Sequence, residues 1–169
     1  MTDLFDAIDG PTSDALLSPC GLYRYSLTRR WDDALPRVCW VMLNPSKADA
    51  VDDDPTITRC LGFARSWGFG SLAVVNLFAW RSTRPKELRK ARDPVGPDND
   101  VHLLRHAKDA ALAVVAWGAH ETFGRALQVL DMLAVNDVKL FCLELTKNGF
   151  PRHPLFCRAD LKPVEYRPW

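Results

Sequence analysis

Two hydrophobic periods run through the chain. Residues 22–31 alternate large apolar or aromatic side chains with polar ones, the two-residue period of a half-exposed β-strand. Asp32, Asp33 and Pro36 then turn the chain. Residues 37–43 form a continuous apolar run with β-branched and aromatic members, stopped by Asn44-Pro45, which predicts a central strand ending at a loop. Residues 55–67 switch to helical spacing: Ile57, Cys60, Leu61 and Ala64 share a stripe, Asp54 is placed to cap, Pro55 takes the first helical position and Gly68 is the stop. A buried strand over 71–78 follows, then a short helix from Pro85 through Arg89 and a helix over 99–109 capped by Asp98. An apolar strand over 110–117 ends at Gly118, and a helix over 121–133 and a short strand over 139–143 complete the pattern. Residues 1–20 mix Asp, Gly, Pro and Ser with few apolar anchors and read as a flexible N-terminal arm, leaving 21–169 as a single domain.

Strands separated by single helices predict an α/β fold: a three-layer sandwich with a short, mostly parallel central sheet and right-handed crossovers, plus an N-terminal antiparallel strand or hairpin. In such sheets ligands sit beyond the carboxyl ends of the strands. The expected working surface is therefore the set of loops leaving the three buried strands.

Composition narrows the function classes without choosing one. A chain of 169 residues that is 47% hydrophobic and 25% charged can bury one core. Its net charge of +1 excludes a basic coat, so nucleic-acid binding would need a local patch. No apolar run reaches the roughly 18 residues of a membrane span, and Asp3, Asp6 and Asp9 stand where a signal peptide would be basic and then apolar, so a cytoplasmic protein with no membrane partner is expected. Five cysteines with no C-x-x-C pair argue against a disulfide framework or a structural zinc, and Cys39 and Cys142 read as buried small hydrophobes.

Four segments carry candidate chemistry. Asn44-Pro45-Ser46-Lys47-Ala48-Asp49, followed by Asp52-Asp53-Asp54-Pro55-Thr56, gathers amide, hydroxyl and carboxylate groups after a buried strand. Mutual repulsion among these acids would raise at least one pKa toward general acid–base work, unless they form a solvated turn with Asp54 capping a helix. Magnesium on Asp52, Asp53 and Asp54 is weighed and not assigned, because the spacing matches no calcium loop and neighbours at a helix start point apart. Asn76 sits inside an apolar strand, where an amide needs partners. Arg81 and Arg84 follow it, placed either for phosphate or for salt bridges to the acidic cluster. In Ala116-Trp117-Gly118-Ala119-His120, Gly118 lets a backbone approach a ligand and Trp117 is a stacking surface or core. In Pro151-Arg152-His153-Pro154, two prolines fix His153 for donation to an oxygen gaining charge. Ser46 lacks a G-x-S-x-G elbow, and neither a P-loop nor G-x-G-x-x-G occurs.

The order of segments resembles a bacterial family called domain of unknown function 1643. The likeness is carried by Met42-Leu43-Asn44-Pro45-Ser46-Lys47-Ala48-Asp49, Asp53-Asp54-Pro55-Thr56, Asn76-Leu77-Phe78-Ala79, Asp93-Pro94, Gly96-Pro97, Asn99-Asp100, Trp117-Gly118 and Arg152-His153-Pro154-Leu155. It covers roughly residues 22–156. More distantly, the series strand-Asn-Pro-Ser, strand-Asn with a following Arg, strand-Trp-Gly and late His-Pro is similar to the uracil-DNA glycosylase superfamily. That resemblance implies a uracil-DNA-glycosylase-like fold, with Asn44 positioning the attacking water, His153-Pro154 supporting the leaving base, and Asn76 and Arg81 matching the second-strand segment. Ser46 stands where one branch has Gly, and Leu155-Phe156 follow Pro154 where the superfamily often has Ser.

These readings lead to a glycosylase-like hydrolase that flips a nucleobase, modified bases included, and cleaves its N-glycosidic bond. Asn44, Asp49, Asp53 and His153 are the expected catalytic residues. Pro45, Ser46, Asn76, Arg81, Arg84, Trp117, Gly118, Arg152 and Pro154 are the expected substrate contacts. The partner is nucleic acid or a nucleotide; no cofactor and no metal is expected, and no oligomeric state is assigned. Two alternatives stay open: a nonenzymatic nucleotide or nucleic-acid binding module on the same fold, and a metal-assisted phosphoesterase using Asp49, Asp53 and Asp54.

Overall fold

The computed structural model describes residues 11–168. Seven strands form one sheet: β1 (Thr12–Leu17), β2 (Arg24–Arg30), β3 (Arg37–Met42), β4 (Ser71–Asn76), β5 (Leu112–Val115), β6 (Leu140–Cys142) and β7 (Val164–Glu165). Three helices connect the central ones: α1 (Pro55–Ser66), α2 (Asn99–Asp109) and α3 (Arg125–Val135). The sheet order is β1-β2-β4-β3-β5-β6-β7. The four inner strands β4, β3, β5 and β6 are mutually parallel, and β1, β2 and β7 add antiparallel edges.

Period-two alternation along β3 divides the core. Val38, Trp40 and Met42 pack with Ile57, Cys60, Phe63 and Ala64 of α1, whereas Cys39 and Val41 pack with Leu103 and Ala107 of α2 and Val129, Leu130 and Leu133 of α3. Helices thus cover both faces of a strand block whose apolar runs are continuous, as burial on both faces requires. Cys39 and Cys142 are both buried.

Four sequence expectations are corrected. Part of the presumed N-terminal arm, Thr12–Leu17, is an edge strand paired with β2, while residues 1–10 lie outside the described residues. Alternation in β2 predicted half-exposure, but Arg24, Ser26 and Arg29 are buried: β1 covers one edge, and the loop after β3 folds over the Arg24 and Arg29 side chains. Asp98 holds the cap position of α2 without a side-chain cap bond. Helix α3 begins at Arg125 and not at Glu121, since Phe123 (φ 52°) and Gly124 (φ 77°) both adopt left-handed backbone ahead of it.

Among the described residues, no helix is long and apolar enough to cross a membrane.

Candidate functional site

The parallel strands place their carboxyl ends on one edge. From central β3 the chain crosses to β4 on one side, whereas β5 pairs with β3 on the other, so the loops after β3 and β5 diverge. Such a switch point opens a crevice. A cavity of about 550 Å³ lies at this end of the sheet, lined among others by Asn44, Ser46, Asp54, Asn76, Trp117 and His153.

Asn44 is held from both sides. Its Nδ2 donates to the Pro45 carbonyl at 3.2 Å and to the Ser82 carbonyl at 2.9 Å, while Ser82 N donates back to Pro45 O at 2.9 Å. The loops after β3 and β4 are thereby stitched together. Committing the amide nitrogen to carbonyls leaves Oδ1 as the group available to accept from a water or ligand. Pro45 is buried and acts through its carbonyl, and half-buried Ser46 lines the cavity.

His153 enters from the far end of the chain. Its loop is docked on Gly118, whose N donates to Pro151 O at 2.8 Å. Gly118 has φ 78°, the left-handed backbone that favours glycine, while a Cβ there would meet the His153 Cβ at 3.5 Å, an ordinary contact, so glycine supplies the conformation. His153 Nδ1 accepts from Leu155 N at 3.3 Å, which leaves the proton of the neutral ring on Nε2. Burial, with repulsion from His120, lowers its pKa, partly offset by attraction to Asp54. The ring is therefore a neutral donor at physiological pH. Pro154 starts a 3-10 turn, Pro154–Phe156, and its carbonyl accepts from Arg59 Nε at 3.4 Å. Arg152 lines the cavity and pairs with Glu144 at 3.4 Å.

Trp117 is core and wall at once. It is buried edge-on against Tyr166, with ring centroids 6.3 Å apart, and also lines the cavity. Asn76 likewise lines the cavity while buried; Asn99 Nδ2 donates to its carbonyl at 2.9 Å, but Asn76 Nδ2 has no hydrogen-bond partner among the described residues.

The acidic loop departs from expectation. Asp49 Oδ1 accepts from Val51 N and Asp52 N, both at 2.8 Å, and these bonds hold its carboxyl below the usual range instead of raising it. Asp53 pairs with buried Arg29 at 2.8 Å. Neither lines the cavity. The carboxylate that does is Asp54, whose Oδ1 also caps α1 by accepting from Ile57 N at 2.9 Å. Asp49, Asp53 and Asp54 thus serve three different partners. Among the described residues no group of three or more His, Cys, Asp or Glu side chains is arranged to hold a metal.

Arg81 and Arg84 also stand outside the lining. Arg81 Nη1 donates to the Gly21 carbonyl at 3.2 Å, and Arg84 is exposed at the start of the 3-10 turn Pro85–Lys90. The pairing with the acidic loop considered for them is made by Arg29. Sequence reasoning missed Arg24, which is buried, lines the cavity and donates from Nη1 to Ala48 O at 2.6 Å. Its signal was an arginine at the opening of a strand whose neighbours are Tyr23 and Tyr25. It also missed Arg125, whose Nε donates to Leu77 O at 2.9 Å and whose Nη2 pairs with Asp100, clamping α3 to the end of β4.

A family model described as a protein of unknown function (DUF1643) matches residues 24–155. The chain belongs to that family. The stretch matched by the DUF1643 model runs from Arg24 to Leu155, and both of these terminal residues line the cavity. No curated protein and no solved structure matches the chain.

Proposed function

We propose that this DUF1643 chain is a glycosylase-like hydrolase on a uracil-DNA-glycosylase-like fold, cleaving the N-glycosidic bond of a nucleobase taken out of nucleic acid. The observation that carries the reading is the pairing in one cavity of an asparagine oxygen freed to accept, Asn44 Oδ1, with a neutral histidine donor, His153 Nε2–H. N-glycosidic hydrolysis asks for these two opposed roles: an acceptor that orients water toward the sugar carbon, and a donor for the base that leaves with the bonding electron pair. In this reading the water oxygen bonds to C1′ as the C1′–N bond breaks. Asp54 faces the cationic sugar and takes the proton of the water, replacing the roles first given to Asp49 and Asp53. The cavity suits a base in size, and Trp117 gives it an aromatic wall. Exposed Arg84 stands beside Thr83 and Pro85, which line the cavity, where it can meet flanking phosphate.

The test is abasic-site formation on duplexes that each carry one modified base. The reading predicts alkali-labile strands for at least one of them. Asn44→Ala should slow base release on the order of a hundredfold or more while leaving duplex binding nearly unchanged. No product from any duplex would sink the reading. Binding with no product would instead favour the nonenzymatic module, for which the absence of Asp49 and Asp53 from the cavity already speaks.

A further inference from the structure

Arg24 is a buried cation that the proposed reaction does not use. It is 2% exposed at the start of β2, and among the described residues the one hydrogen bond of its side chain runs from Nη1 to the Ala48 carbonyl. Its Nε is buried without a partner, and it forms no ion pair among the described residues. Burial lowers its pKa to about 10, with Asp54 offsetting part of the effect, so it stays charged at neutral pH. Asn76 of β4, 1% exposed, also lacks a hydrogen-bond partner for Nδ2 among the described residues. Both residues line the cavity, together with Met42 and Val74, which are also buried. Elsewhere the lining is open: Leu155 is 44% exposed and Phe156 74%. The buried part of the wall therefore holds two donors without partners among the described residues, set among apolar side chains.

A charged guanidinium with an unanswered N–H is costly to bury, and proteins retain such groups where a ligand supplies the acceptor. The Nε side of the guanidinium is the one that meets carboxylate or phosphate through paired donors, and Nη1, already spent on Ala48, lies away from it.

We propose that Arg24 and Asn76 form a receptor for a compact anionic group at the inner end of the cavity, so that the ligand is an anionic nucleobase derivative or a nucleotide. The inference rests on the cavity being the substrate site, as in the proposed function, but not on the hydrolysis. Two sources share the chemistry: a carboxylate carried on the base, or a phosphate carried on the sugar. Asn76 orients the same group from the neighbouring strand and sets it apart from a neutral base, which would leave the Arg24 charge unanswered.

Calorimetric titration of the full chain distinguishes them, using uracil against orotate (its carboxylated form) and uridine against uridine monophosphate. One anionic probe is expected to bind at least tenfold more tightly than its neutral partner. A preference for orotate assigns a carboxylate, and a preference for the monophosphate assigns a phosphate. Arg24→Gln should abolish that preference. Without ligand it should melt no lower than the parent, because an uncompensated buried charge has been removed. Asn76→Ala, which leaves the charge in place, should weaken the preference several-fold. Equal affinity for charged and neutral probes in the parent chain overturns the proposal. So does an Arg24→Gln chain that melts several degrees lower with the preference intact, since Arg24 would then only brace the Ala48 loop. An Arg24→Gln chain that does not fold leaves the decision to the parent's preference and to Asn76→Ala. Anion preference without base release retains this inference and discards the hydrolysis; base release without anion preference does the reverse.

Discussion

At the residue scale, His153 combines geometry and titration in a way that can be measured. Its Nδ1 accepts a backbone N–H, which demands the neutral ring, and burial moves its pKa in the same direction. Because the folded value lies below the unfolded value of about 6.5, the unfolded chain binds more protons between the two, and stability falls as pH drops through that window. Thermal melting should therefore be nearly flat above about pH 7 and decline below about 6.5, and His153→Gln should flatten part of that decline. A decline identical in the variant would show that the ring does not titrate as described. His106, also lowered by burial, accounts for a separate share that the substitution leaves in place. Asn44 and His153 were legible in the sequence because each adjoins a proline at the edge of a strand or turn. Arg24 was not, because the alternation of β2 marked it as a solvent-facing polar position; the pairing with β1 and the loop folding back from Asn44 to Asp54 are what cover it.

At the element scale, α1 shows how a capping residue and a site residue can be one side chain. Asp54 caps the helix through Ile57 N and also faces the cavity. Asp54→Ala should lose about 1 kcal/mol of unfolding free energy, whereas Asp54→Asn, which keeps an acceptor oxygen, should stay within a few tenths, as read by denaturant titration. Equal losses would mean the cap bond contributes little. The turn before β4 is less forgiving. Gly70 accepts from Trp31 N and Asp32 N, and a Cβ at Gly70 would sit 2.0 Å from the Asp32 carbonyl oxygen and 2.7 Å from the Leu35 Cβ. Gly70→Ala should cost about 1–3 kcal/mol by forcing that turn apart, and a melting temperature equal to the parent's would contradict this packing. Most elements announced themselves through period and caps: α1 and the short 3-10 turn begin at their prolines, and β3 and β4 are the apolar runs. What the periods did not carry was local backbone: the left-handed Phe123 and Gly124 that delay α3, and the two-residue β7, too short to show any period.

At the scale of the whole molecule, the site exists because of connectivity. The chain crosses from β3 to β4 and then over β3 to β5, so loops from residues 44–54, 76–85 and 117–120 meet the 146–156 segment at one end of the sheet. The segments were readable along the chain, and the principle that ligands sit at carboxyl ends of parallel strands placed them on one edge. Which acid faces inward was not readable. That depends on Arg29 drawing Asp53 to β2, a contact from a separate strand, and on Asp49 folding over its own turn, a choice of side-chain direction that hydrophobic period does not encode. The central claim is that this cavity receives the base. Side-chain amide resonances of Asn44 and Asn76 test it most directly, followed by NMR while a short single-stranded oligonucleotide carrying one modified base is titrated in. Both amide pairs should shift together and saturate at one affinity, with backbone shifts grouped at Gly118 and around His153. Shifts confined to α3 and β7, with both amides unmoved, would contradict the account.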